Sequence, residues 1–271
     1  MRRHILLGVV LSLLFAPALA LGQQETQPIT WIGFFKAQPG KGEDFVGLIM
    51  EYDKPVLDKL LADGTIMAWG IDAPWTHGDD TWTHSLWATM ANWGQLGRLE
   101  KAFEEAQKAR SKEENEKLEQ KFRATIVAGS HRDLILRELV FALKPSGAEG
   151  NPAKPYTRVA LYKVKPGKGE QALKLYKKVA QPVYEQLLAE GTIIGYGLNV
   201  QAVHSNPEVT HAGWIVANDL SALDRIREAF QEADKKRSKE EQAWLESQFR
   251  ELFVSGAHRD FILRAAHFAS R

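Results

Sequence analysis

The chain has 271 residues, no cysteine, and 35 basic against 34 acidic side chains, a formal charge of +1. Without thiols it has no disulfides, thiolate metal sites or haem attached through Cys-x-x-Cys-His. Its near-neutral balance offers no general attraction to nucleic acid or an anionic membrane.

The first segment has the layout of a signal peptide. Arg2 and Arg3 give a basic start, Ile5 to Phe15 an apolar run, and Ala18-Leu19-Ala20 a small-residue cleavage motif. The apolar run falls well short of the roughly 20 residues a spanning helix needs. Residues 1–20 are therefore expected to be removed after Ala20, and the mature chain to be exported, soluble, and periplasmic or extracellular. Cleavage takes away two arginines and no acids, so the charge becomes −1. The paired arginines also suit the twin-arginine route. Residues 21–28 are polar and read as a disordered lead.

From Ile29 onward the chain is a duplication. Shifting it by 127 residues, the distance from His131 to His258, aligns Ile29 to Lys144 with Tyr156 to Arg271 without a gap, at about 47 identities in about 116 pairs. Thr30 to Lys36 and its copy Thr157 to Lys163 alternate like strands. Pro39-Gly40-Lys41-Gly42-Glu43, repeated as Pro166-Gly167-Lys168-Gly169-Glu170, is a turn feeding a helix that ends at Gly64 or Gly191. Pro55 and Pro182 fall inside that helix and should kink it or start a second segment. Thr65 to Ala73 and Thr81 to Ala91, with Thr192 to Val200 and Glu208 to Asn218, read as two further strands per half.

Asn92 and Asp219 are N-cap residues for the next helix. Ser111-Lys112-Glu113-Glu114 and Ser238-Lys239-Glu240-Glu241 are capping boxes that start another. Each half closes on a strand opened by Gly129-Ser130-His131-Arg132-Asp133 or Gly256-Ala257-His258-Arg259-Asp260. Residues 145–155, rich in Pro, Gly and Ala, form the linker, which leaves repeats at 29–144 and 156–271.

Each half is thus βαββαβ, the ferredoxin-like unit, and the fold class is α+β. Helices on one face of such a sheet leave the other open. Trp31, Phe35, Ile135 and Ile262, assigned to that open face, are too apolar to stay wet, so the antiparallel sheets should pack face to face as an intramolecular barrel. In element order, in the Pro-Gly-Lys-Gly-Glu turn and in the duplication, Thr30 to about Phe268 resembles the dimeric α/β-barrel superfamily, which includes antibiotic-biosynthesis-type monooxygenases and EthD-like and NIPSNAP-like proteins. The resemblance implies two sheets in one barrel, both here in one chain. It names no activity, because the superfamily spans haem-degrading monooxygenases, cofactor-free oxygenases, isomerases and haem peroxidases.

Three histidine pairs recur at the 127-residue offset: His77/His204, His84/His211 and His131/His258. His77 and His84 flank one hairpin with Asp79 and Asp80, a metal-like set, but the copy carries Asn206 and Pro207 and no fixed third ligand, so no metal is expected. His131, His258, His84 and His211 are the acid/base candidates. If Leu134 and Leu136 face the helices, Arg137 and Arg264 face the lumen. There they either pair with Asp133 and Asp260 or, with Arg158 and Tyr162, grip the anionic group of a ligand. Trp69 and Tyr196 add aromatic surface. No residue matches a haem motif, and no cofactor is expected.

The leading reading is an exported small-molecule-binding protein, a monomer or homodimer, whose apolar or aromatic, anionic ligand lies in the lumen. The others are a monooxygenase-type enzyme in the same lumen and a structural or partner-binding module with a filled barrel. None involves nucleic acid, or a membrane once the signal is removed.

Overall fold

The computed structural model describes residues 27–76, 82–146, 154–205 and 208–271. The expected signal peptide and most of the polar lead lie outside these residues, as do His77, Asp79, Asp80, Asn206, Pro207 and most of the linker.

Repeat 1 runs β1 (Ile29–Phe35), α1 (Gly42–Leu48), α2 (Lys54–Ala62), β2 (Ala68–Pro74), β3 (His84–Met90), α3 (Trp93–Ala109), α4 (Lys112–Thr125) and β4 (Arg132–Leu143). Repeat 2 follows with β5 (Tyr156–Tyr162), α5 (Gly169–Val179), α6 (Gln181–Glu190), β6 (Gly195–Gln201), β7 (His211–Ala217), α7 (Ser221–Lys235), α8 (Lys239–Leu252) and β8 (Arg259–Ser270). Both prolines act as expected. Pro55 and Pro182 each lie in the first turn of a new helix, and a π turn, Ile49–Asp53, precedes the first of them. Gly191 caps α6 in the left-handed conformation, φ 79°. Ser111 and Glu114 form the full reciprocal capping box. At Ser238 the serine accepts from the Glu241 amide, while the Glu241 carboxylate lies 3.5 Å from Lys178 Nζ.

The eight strands close into one barrel in the order β1-β3-β2-β8-β5-β7-β6-β4, with the helices outside. The last strand of each repeat makes the closure. β4 and β8 have 12 residues against seven in the others, so each pairs with the first strand of its own repeat and also with a middle strand of the other, at the β4–β6 and β2–β8 seams. Backbone hydrogen bonds cross both seams, and among the described residues the barrel has no free edge.

The strand faces are the reverse of the sequence expectation. Trp31 and Phe35 pack into the core under the helices of repeat 1. Ile135 is the register partner of Trp31 and shares that outer face, as do Asp133 and Arg137. Leu134, Leu136 and Glu138 point inward, and Glu138 accepts from Thr30 Oγ1 at 2.7 Å, Asn199 Nδ2 at 3.2 Å and Trp214 Nε1 at 3.2 Å. A two-residue period defines two faces without saying which is inside, and a one-residue slip exchanges them. Desolvation decides the matter, because the exposed outer end of β4 accommodates Asp133 and Arg137 while the leucines fill the interior.

The lumen is packed. Trp87 lies 5.8 Å from Phe268 and Trp214 5.7 Å from Phe141, ring centre to ring centre. A Cβ added at Gly197 would come within 2.4 Å of the Trp214 ring, so only glycine fits there. Asp72 accepts from Trp87 Nε1 at 2.7 Å, and burial pushes its carboxyl up to about 7.

Candidate functional site

The space between sheet and helices differs between the two repeats. In repeat 1 it is filled by Phe45, Leu57, Ile71 and Leu86, all fully or nearly buried. In repeat 2 the same region holds a cavity of about 580 Å³ between β5–β7 and α5–α8. Four substitutions between the copies remake this space, two by emptying it and two by changing its chemistry. Phe45 is replaced by Ala172 and Leu86 by Gly213, which removes bulk. Ile49 is replaced by Tyr176 and Leu57 by Tyr184, which adds hydroxyls. The remaining walls include Phe230, Phe249, Phe253 and Trp214.

One end of the cavity is polar. Tyr162 and His211 are register partners on β5 and β7, and cross-strand neighbours have Cβ atoms about 5 Å apart. His211 Nδ1 lies 2.9 Å from Thr210 Oγ1, and burial lowers its pKa to about 4, so the imidazole is neutral. Among the described residues its Nε2 has no hydrogen-bond partner, and neither do the hydroxyls of Tyr162 and Tyr184. Burial raises the pKa of both phenols, which therefore stay protonated, and both feel the charges of Arg158 and Asp260. Tyr176 lies beside them and donates to the Gly197 carbonyl at 3.3 Å. In repeat 1 the histidine equivalent to His211 is covered, with the Phe45 ring 5.1 Å from His84.

Behind this end stands the last-strand motif. The His258 ring stacks on Tyr162 at 4.9 Å with 13° between planes, and its Nε2 lies 3.4 Å from Asp260. The other oxygen of Asp260 accepts from Arg158 at 2.9 Å.

Of the residues singled out from sequence, the structure brings together Arg158, Tyr162, His211 and His258, with Tyr196 5.5 Å behind Tyr184. The meeting place is the gap beneath the helices, not the lumen. Arg137 is exposed on the outer face of β4, and Arg264 lies outside over the Tyr156 ring at 5.6 Å. Neither reaches the lumen, and neither pairs with the aspartate expected for it: Asp133 accepts from Trp31 Nε1 at 2.8 Å, and Asp260 is held by Arg158. Trp69 is buried in the core of repeat 1, where it donates to Asp58. His131 stacks on Phe35, away from the repeat 2 cavity. Among the described residues no group of three or more His, Asp or Glu side chains could hold a metal ion.

Tyr176, Tyr184, Ala172 and Gly213 escaped sequence reasoning, although the sequence carried their signal. The copies share the residues that stand out chemically, whereas the cavity is made where the copies differ.

Both arginines on the cavity wall are ion-paired, Arg158 with Asp260 and Arg237 with Asp234.

No protein-family model and no curated protein matches the sequence. Among solved structures, the chain is similar to a provisionally named monooxygenase from Lactobacillus acidophilus, with a TM-score of 0.60 and 14% identity over 90% of this chain and 96% of that one. A second provisionally named monooxygenase, from Fusobacterium nucleatum, gives a TM-score of 0.58 and 8% identity over 91% and 95%. At these identities the likeness concerns fold: the chain has the dimeric α/β-barrel architecture, with both halves in one polypeptide.

Proposed function

We propose that this protein binds a small, largely apolar planar molecule in the repeat 2 cavity, with a hydrogen-bonding group of the ligand at the Tyr162, Tyr184 and His211 end. The observation that carries the reading is the contrast between copies, in which one backbone arrangement is packed solid in repeat 1 and hollow in repeat 2. A volume near 580 Å³ lies within the roughly 300–1,000 Å³ of small-molecule sites. Of the residues expected to grip an anionic group, Arg137 and Arg264 face outward, while Arg158 and Tyr162 line the cavity with Arg158 paired to Asp260, which favours a neutral polar group over an anion.

The names of the two structural neighbours suggest oxygenase chemistry as a second reading. Against it, a histidine with a pKa of about 4 is a weak general base at neutral pH, so binding is the leading reading. Export belongs to the proposal as well, and mass spectrometry of the protein from its native host should find a mature chain beginning at Leu21.

The test imports the residues of repeat 1. Ala172→Phe with Gly213→Leu should abolish stabilisation by 2-naphthol in a thermal melt while leaving the unliganded protein folded. A Cβ at Gly213 meets nothing nearer than 3.7 Å, so the position has room. Unchanged stabilisation of the double variant would move the binding site elsewhere. An absorption spectrum with a Soret band would assign the cavity to haem instead.

A further inference from the structure

The Gly-x-His-Arg-Asp motif recurs in both copies, yet none of its residues lines the cavity. Its geometry is the same in both copies. The histidine stacks on the last aromatic of the first strand, His131 on Phe35 at 4.6 Å and 14°, His258 on Tyr162 at 4.9 Å and 13°. The aspartate then binds the side chain four residues earlier on that strand, Asp133 to Trp31 at 2.8 Å and Asp260 to Arg158 at 2.9 Å. Each histidine Nε2 also approaches its own aspartate, at 3.3 and 3.4 Å. The motif is therefore a two-point clamp on the outer face of the first strand. In repeat 1 the clamped residues belong to a filled core. In repeat 2 they are Arg158 and Tyr162, both on the cavity wall.

We infer that His258 and Asp260 are positioning residues of the binding site, fixing the Tyr162 ring and the Arg158 guanidinium, while His131 and Asp133 make the same clamp with no ligand to serve. The inference rests on the repeat 2 cavity being the binding site. Long polar side chains lose rotamer freedom when they bind, and a clamp in place beforehand lowers that cost. Asp260 also neutralises Arg158, leaving the wall suited to a neutral polar group.

The duplication supplies its own control. Dissociation constants for 2-naphthol would be measured by calorimetry on the full mature chain, alongside urea midpoints, for His258→Ala, Asp260→Asn, His131→Ala and Asp133→Asn. The clamps are alike, so the two sets should lose similar stability. Only the repeat 2 variants should weaken binding, by about tenfold or more, while the repeat 1 variants stay within about twofold. His258→Phe, which keeps a ring on Tyr162, should restore most of what His258→Ala loses. Equal effects of the two sets on binding, with Tyr162→Phe still weakening it, would overturn the positioning role and leave the cavity reading intact. No binding to the unmodified chain, or full binding to Ala172→Phe/Gly213→Leu, would overturn both.

Discussion

Phe45 and Ala172 occupy the same point in the two repeats. The ring of Phe45 lies 5.1 Å from those of Phe35 and His84, and no side chain of comparable size fills that place beside His211. Removing a buried phenylalanine deletes its transfer free energy and leaves a void. Phe45→Ala should therefore lower stability by about 3–5 kcal/mol in urea unfolding. Ala172→Phe fills existing space and should leave the midpoint unchanged or raise it.

Asp72 makes stability fall as pH rises. Its carboxyl titrates near 7 in the fold against an ordinary value of 3.8, so between those values the native state retains a proton that the unfolded chain has lost. Asp72→Asn removes this penalty, and Asn199, the occupant of the equivalent position in repeat 2, shows that an amide fits there. The variant should gain on the parent between pH 5 and pH 8 by an amount on the order of a few kcal/mol, read from paired urea midpoints. A constant difference across that range would locate the proton elsewhere.

The sign is opposite at His211. Its pKa is lowered, so the stabilisation it gives is complete above the ordinary value of 6.5 and is lost as pH falls towards about 4. Nitrogen-15 shifts of the His211 ring should still report a neutral imidazole at pH 5.5, where a solvent-exposed histidine is mostly protonated. A midpoint near 6.5 would mean that water reaches the ring freely.

Arg137→Ala and Arg264→Ala test the strand faces. Both side chains lie outside the barrel, so each variant should bind 2-naphthol like the parent. Arg137→Ala should change stability by no more than about 0.5 kcal/mol, and Arg264→Ala by up to about 1 kcal/mol through its contact with Tyr156. Loss of binding in either variant would contradict a site confined to the repeat 2 cavity.

The fold was legible because its signals are local and doubled: the offset joining His131 to His258, the prolines at 55 and 182, and the serine caps at 111 and 238. The strand faces were not, because both sides of β4 carry large apolar residues and a two-residue period does not say which side is inside. The exposure of Asp133 and Arg137 on the outer end of β4 separates outside from inside. The site was half legible. Arg158, Tyr162, His211 and His258 were picked out for their chemistry, but placing them together requires knowing that β5, β7 and β8 are neighbours. Ala172 and Gly213 look inert in a sequence, and their importance lies in the volume they leave empty.

The most direct test of the account is a crystal structure of the mature chain soaked with 2-naphthol. The account predicts ligand density in repeat 2 between the sheet and α5–α8, with the naphthol oxygen within hydrogen-bond reach of Tyr162, Tyr184 or His211. Density inside the barrel, against Trp87 and Trp214, or beneath the helices of repeat 1 would contradict it.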